Sequence, residues 1–359
     1  MDTYLFDSST YQKYYNCNIY HIDDIPLGQR RHIVVGSAHL GLSVMLESLY
    51  LLCLPAIYKR LEISCYKIMF FMAIVDILCL PIIGCLHGYL AIIGGVFCSA
   101  PDLIYVSGCV AMGLWGCEGI AAVFLALNRC LEIAMPKVGD FLFKTPEQNP
   151  ETVEGERTWC WILASLVFGI WFGFFGKPVL FSSLRLAWIF EPHNGYLPVP
   201  EPNWYHSKIE VFDDCLVMVA LTVLYVLFAF VLWCKISEYR GNGTNTMASN
   251  LLKSQKMIFL QVLIVSIIHI NASGVYCYMQ LFTVNQFVVN MAMYGWFFAH
   301  GIPPVIYLTL NKSIRNDCYK SIKVLLRCDK TTAKTMIVTT TLTTRMFQVS
   351  PHERKFSTL

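Results

Sequence analysis

Charge is what this sequence has least of. Asp, Glu, Lys and Arg make up 14% of its 359 residues, against about a quarter in a soluble domain. The deficit falls in blocks: residues 78–100, 103–117 and 283–310 contain none of the four. Uncharged apolar stretches of about 18 residues or more read as membrane-spanning helices, because a span needs about 20.

Other absences narrow the class. The first 24 residues are polar and acidic without an apolar core, which predicts no cleavable signal there. The fifteen cysteines include no Cys-x-x-Cys pair, against a zinc-ribbon reading. Most lie inside apolar runs, where a thiol acts as a small apolar group. No connection is long enough for a soluble domain, and no transporter-like internal repeat is visible.

What is present is seven apolar segments: Ile33–Ile57, Tyr66–Leu90, Pro101–Ile133, Thr158–Phe181, Val211–Lys235, Gln255–Phe282 and Gln286–Leu310. They predict an all-α membrane protein, a seven-helix bundle over residues 32–310. An extracellular tail, 1–31, precedes it. An amphipathic surface helix, 311–327, and a disordered cytoplasmic tail, 328–359, follow. With the amino terminus outside, most Lys and Arg fall inside, including Lys59, Arg60, Arg129, Lys137, Arg157 and Lys235. That asymmetry is the positive-inside pattern; Arg30 and Arg31 run against it and are outnumbered.

The third segment shows how the span ends. Ser99 and Asp102, around Pro101, suggest a capping box with Asp in place of Glu. From Cys98 to Arg129 is 31 residues, about 46 Å of helix, close to a bilayer with its headgroups. Arg129 therefore marks the cytoplasmic end. The plain alternative for it is an interfacial anchor.

Seven spans closed at the third by an arginine resemble a G-protein-coupled receptor. Asn128-Arg129-Cys130 is similar to the Asp-Arg-Tyr motif of rhodopsin-like receptors. Asp76 stands where that family keeps an acid in its second span, and Pro304-Val305-Ile306-Tyr307 resembles the end of its last motif. A closer resemblance is to the nematode serpentine chemoreceptors of class T. It is carried by "SCYKIMF" (64–70), "VFCSAP" (96–101), "LALNRC" (125–130), "SSLRLAWIFEP" (182–192), "SQKMIFLQ" (254–261), "YCYMQ" (276–280) and "HGIPPVIYLTLNKSIR" (300–315). It runs from about Pro26 to Tyr319. It implies a chemosensory receptor in the ciliary membrane of a sensory neuron, coupled to a heterotrimeric G protein, without a cofactor and not an enzyme. It names no ligand. Asn128, Arg129, Pro304 and Tyr307 are then the expected coupling and activation residues.

The chain departs from the rhodopsin-like pattern at several points. Asn128 cannot pair ionically with Arg129, whereas Glu132 can, three residues on. The sixth span lacks the usual proline and tryptophan. Rhodopsin-like receptors tie the top of the third helix to the second outer loop by a disulfide. Residues 178–210 hold no cysteine, so Cys98 is expected to pair with Cys17 instead. Cys85, Cys215 and Cys277 are the rivals.

Ionisable residues inside spans are functional candidates. Asp76 and His300 stand at comparable depth, and a buried Asp needs a partner: a cation, a proton or the histidine. The alternative is a hydrogen bond that only holds helices together. Glu118 lies among small residues and suits helix packing better; Glu47 and His269 also read as structural. Candidate ligand residues are Tyr105, Met112 and Trp115 on the third span, Tyr276, Met279 and Gln280 on the sixth, and Tyr294 on the seventh. Aromatic and Met residues of this kind fill apolar cores more often than they bind ligands. The third helix has no acid in its outer half beyond Asp102, so a small apolar or weakly polar ligand is expected.

Two other classes compete. An intramembrane metal hydrolase needs clustered histidines, but His39, His87, His269 and His300 are scattered and no His-x-x-x-His pair exists. A channel subunit needs a polar stripe along one helix, and none is apparent. Past the last span, Ile314, Cys318, Ile322 and Leu325 form one apolar stripe ringed by Lys and Arg, suited to an anionic leaflet. Cys328 is a palmitoylation candidate.

Overall fold

The computed structural model describes residues 1–144, 156–197, 201–241 and 246–323. Six helices in it are long and apolar enough to cross a membrane. They are Leu27–Tyr58, which includes the continuous helix Ile33–Tyr58, then Ser64–Ile93, Pro101–Ala134, Arg157–Phe175, Lys208–Cys234 and Leu260–Leu281. A seventh span is built from two shorter helices, Gln286–Gly301 and Pro303–Leu310. The whole is a seven-transmembrane helical bundle. The expected disordered tail, 328–359, and Leu325, Arg327 and Cys328 lie outside the described residues.

The break in the seventh span follows from Pro303 and Pro304. Neither has an N–H, so the carbonyls of Ala299 and His300 lose their helical donors. The freed His300 oxygen lies 2.8 Å from the Tyr50 hydroxyl of the first span. Pro81 acts similarly in the second span, where residues Pro81–Leu86 form a π-helical stretch. Its neighbourhood is held from the first span: Ser43 Oγ donates to the Leu80 carbonyl at 3.3 Å, and His39 Nε2 lies 3.1 Å from the Ile83 carbonyl.

Small residues set the tightest helix contacts. Without a hydrophobic drive inside lipid, spans associate through close packing. A methyl group at Gly169 of the fourth span would stand 2.1 Å from Cys117 Sγ and 2.5 Å from the Gly113 carbonyl of the third. The outward faces stay apolar and exposed, as at Val167 and Ile170 on the fourth span and Val219, Val226 and Phe230 on the fifth.

Two expectations about ends need correction. The fourth span stops at Phe175, short of Phe181. Gly176 N closes its last turn on the Phe172 carbonyl at 2.7 Å, and Pro178 bars further helix. Leu180–Ser182 then pairs antiparallel with Ala187–Ile189, all six residues buried. Nor does Ser99 cap the third span. Its hydroxyl accepts from Val96 N at 3.0 Å in the preceding turn, and Asp102 accepts from the Tyr4 hydroxyl at 3.0 Å.

The amino-terminal tail is folded onto the bundle. Tyr4, Tyr11 and Tyr15 pack around Tyr105 with ring centroids 5.0–5.3 Å apart. Tyr14 stacks on Trp204 at 3.8 Å. Cys17 and Cys98 are joined by a disulfide, the pairing expected from the sequence. At a separation of 81 residues it is worth at most about 4.5 kcal/mol in the chain-entropy model, and less here because a membrane already restrains the intervening spans. Cys17→Ser should lower the thermal midpoint of the purified, delivered protein. A midpoint that neither this substitution nor mild reduction moves would mean that the aromatic contacts hold the tail alone.

Candidate functional site

At mid-bundle, polar groups from five spans converge. His300 Nδ1 lies 2.8 Å from Asp76 Oδ1 and 2.5 Å from Glu118 Oε2. Glu118 Oε1 lies 3.1 Å from His269 Nε2. The Tyr50 hydroxyl donates to Asp76 Oδ2. None of these five residues is more than 1% exposed. Uncompensated charge at such a site costs several kcal/mol per ion, so the members must balance one another. One ring proton on His300 faces two carboxylates; further protons or a cation complete the balance. Asp76, Glu118 and His300 each offer a ligand atom within 4.8 Å of the others. Two carboxylate oxygens and an imidazole suit a hard or borderline cation, although here the imidazole itself bridges the acids.

Above this core, towards the amino-terminal face, lies an aromatic layer. Trp115 stacks on His269 with centroids 5.3 Å apart and meets His300 edge-on at 5.8 Å. Trp296 stands edge-on to both Trp115 and Tyr276, at 6.4 and 5.9 Å. Trp115 Nε1 donates to Asp214 Oδ1 of the fifth span at 3.2 Å. A side chain here therefore touches both the polar core below and whatever lies above.

Above it is a chamber of about 350 Å³, open towards the amino-terminal face, within the usual size range of ligand sites. Its walls include Arg185, Phe190 and Asn194 from the hairpin loop, Tyr276, Met279 and Gln280 from the sixth span, and Val289 from the seventh. A smaller hollow beside it is bounded by Met112, Trp115, Val179, Glu210, Tyr276 and Trp296. Tyr276 lines both. Gln280 braces the start of the fifth span: its Oε1 accepts from Ser207 N at 2.7 Å and its amide donates to Glu210.

At the opposite face, Arg129 is 7% exposed and donates to Glu132 Oε2 at 2.6 Å. Asn128 Nδ2 donates to Ser64 Oγ at 3.1 Å. Both Asn128 and Glu132 line a cleft of about 170 Å³ with Glu62, Asp140 and Lys144. Pro304 and Tyr307 are buried in the seventh span. Residues 312–323, within the stretch expected as a surface helix, are helical. Asn311 Oδ1 caps it by accepting from Ser313 N and Ile314 N at 3.1 Å. Asp317 accepts from Arg60 Nη2, which holds its carboxyl below the usual range.

Of the candidate ligand residues, Met112, Trp115, Tyr276, Met279 and Gln280 meet at the chamber and hollow. Tyr105 and Tyr294 line neither. Tyr105 lies beneath the tail, and Tyr294 is 39% exposed on the far side of its helix near His39. The packing reading holds for Gly116 and Cys117, which press against the fourth span, but Glu118 faces the polar core. Sequence reasoning passed over Tyr50 and the acids Glu210, Asp213 and Asp214. The signal for the latter was available: acids at i, i+3 and i+4 opening an apolar helix share one face.

Comparison with known proteins completes the picture. A family model described as the serpentine type 7TM GPCR chemoreceptor Srt matches residues 2–332. The chain is also 21% identical over 265 residues to serpentine receptor class T-55 of Caenorhabditis elegans, spanning 74% of this chain and 67% of that protein.

Proposed function

The chain belongs to the Srt family of serpentine seven-transmembrane chemoreceptors, and from that premise we propose that it senses an external small molecule and activates a heterotrimeric G protein. It is a multi-pass membrane protein of a receptor family. In this reading the amino-terminal face is extracellular, as the Lys and Arg asymmetry favours, and the membrane is that of a sensory cilium. The observation that carries the reading is the chamber stacked on an aromatic layer, which is stacked in turn on the Asp76–Glu118–His300 core and the broken seventh span.

That stacking supplies a route for coupling. A ligand in the chamber touches Tyr276 and, across the hollow, Trp115 and Trp296. Those rings lie against His269 and His300, whose partners are Glu118 and Asp76. His300 also sits one turn above Pro304, where the backbone has already lost hydrogen bonds and bends at little cost. Ligand binding that favours one arrangement of this core over another shifts the inner ends of the helices. Arg129 and the cleft beside it then meet the G protein. No step in this scheme requires catalysis or a cofactor.

Ligand-dependent nucleotide exchange on a G protein, reconstituted with the full chain in vesicles, tests it. Exchange stimulated by an external small molecule is expected. Ion flux or peptide hydrolysis without exchange would instead favour a channel subunit or a membrane hydrolase.

A further inference from the structure

Glu210, Asp213 and Asp214 occupy the first two turns of the fifth span's helix, and each is 2% exposed or less. Among the described residues, no Lys, Arg or His forms an ion pair with any of them. Arg185, at the chamber rim, is engaged by Asn194 and Gln286, at 2.7 and 3.4 Å. Neither Asp213 oxygen has a hydrogen-bond partner. The positive end of the helix dipole offsets part of one negative charge, not three. This cluster is built for positive charge that the described chain does not supply.

A second observation points to a ligand independently of the acids. The hollow that Glu210 lines is walled by three aromatic rings: Trp115, Tyr276 and Trp296. Two of them carry buried polar atoms without partners, the Tyr276 hydroxyl and Trp296 Nε1, on side chains only 6% and 2% exposed. Buried polar atoms in folded proteins nearly always have partners. Aromatic faces set at steep angles around a point, with carboxylates behind them, are the pattern that recognises an organic cation. The hollow holds about 10 Å³, room for one water-sized group. That admits a primary ammonium and excludes a trimethylammonium.

We propose that the hollow beside the chamber binds the primary ammonium group of a small amine, held by Glu210 within the Trp115–Tyr276–Trp296 box, with Asp214 behind the box on Trp115 Nε1 adding negative charge, while the rest of the amine occupies the 350 Å³ chamber. This inference rests on the receptor reading and names its ligand class. It departs from the apolar or weakly polar ligand expected from the third span, because the acids stand on the fifth. Asp213, on the same helix, likewise adds negative potential without lining the hollow.

The test uses the purified full chain in detergent, with small primary alkyl and arylalkyl amines as probes. Their matched alcohols and N-trimethyl counterparts serve as controls. Thermal stabilisation of the wild type reads binding without any G protein. Amines should raise the midpoint where alcohols and trimethyl compounds do not. Glu210→Gln and Asp214→Asn should each weaken the apparent amine affinity by roughly tenfold or more. Equal stabilisation by alcohols or trimethyl compounds, or none by any amine, overturns the proposal. If the variants fail to fold, the wild-type comparison still decides. Nucleotide exchange driven only by neutral compounds would sink the amine site and leave the receptor reading intact. Amine stabilisation without exchange would support the site and count against that reading.

Discussion

Arg129→Ala should reduce ligand-stimulated nucleotide exchange by roughly 100-fold, near the top of the usual range for coupling between sites, while leaving surface delivery and ligand affinity nearly unchanged. The expectation comes from how weakly the arginine is tied. Its guanidinium pairs with Glu132, three residues away on the same helix. A pair of that kind is worth about 0.2–0.5 kcal/mol, and the Glu132 carboxylate is half exposed. Asn128, the neighbour that would be an acid in rhodopsin-like receptors, instead bonds Ser64 of the second span. Glu132 can thus give up the pair at little cost, and Arg129, itself 7% exposed, stands next to the inner cleft that Asn128 and Glu132 line. Exchange measured at matched expression decides the point. A variant that signals as the wild type would reduce Arg129 to an interfacial anchor.

Asp76→Asn should alter the dependence of signalling on sodium or pH, by about tenfold in ligand potency across the range where the wild type responds. The carboxamide keeps the shape of the side chain and can still bond Tyr50 and His300. What it removes is one negative charge from a buried set of two carboxylates and two imidazoles. The remaining Glu118 is then balanced by histidine alone, and neither a cation nor an added proton is needed. Potency curves in sodium and in choline salts, each at several pH values, separate the two cases. A variant whose response to both matches the wild type would assign Asp76 to holding helices together.

How much of this was legible beforehand differs from residue to residue. The seven spans follow from where charge is missing, because burying a charge in hydrocarbon is costly wherever it sits along a helix. The Cys17–Cys98 bridge was within reach because so few cysteines lie near helix ends at one face. The pairing of Asp76 with His300 could be anticipated from depth along two helices. Depth alone, however, does not fix the angle at which a side chain leaves its helix. That angle sends Glu118 to His269 and His300 although its neighbours Gly116 and Cys117 face the fourth span.

Composition and hydropathy by themselves determined that this protein is a membrane bundle with a polar set buried in its middle. Both are one-dimensional quantities set by the cost of moving charge into lipid. Tertiary structure alone decided which polar groups meet. It put Tyr50 on the carbonyl freed by Pro304, and it turned Tyr294 away from the chamber. It also placed Glu210 and Asp214 against an aromatic box contributed by three other spans. The physical reason is that side-chain encounters depend on helix rotation and on the close approach that small residues permit, and both are properties of packed pairs rather than of any single segment.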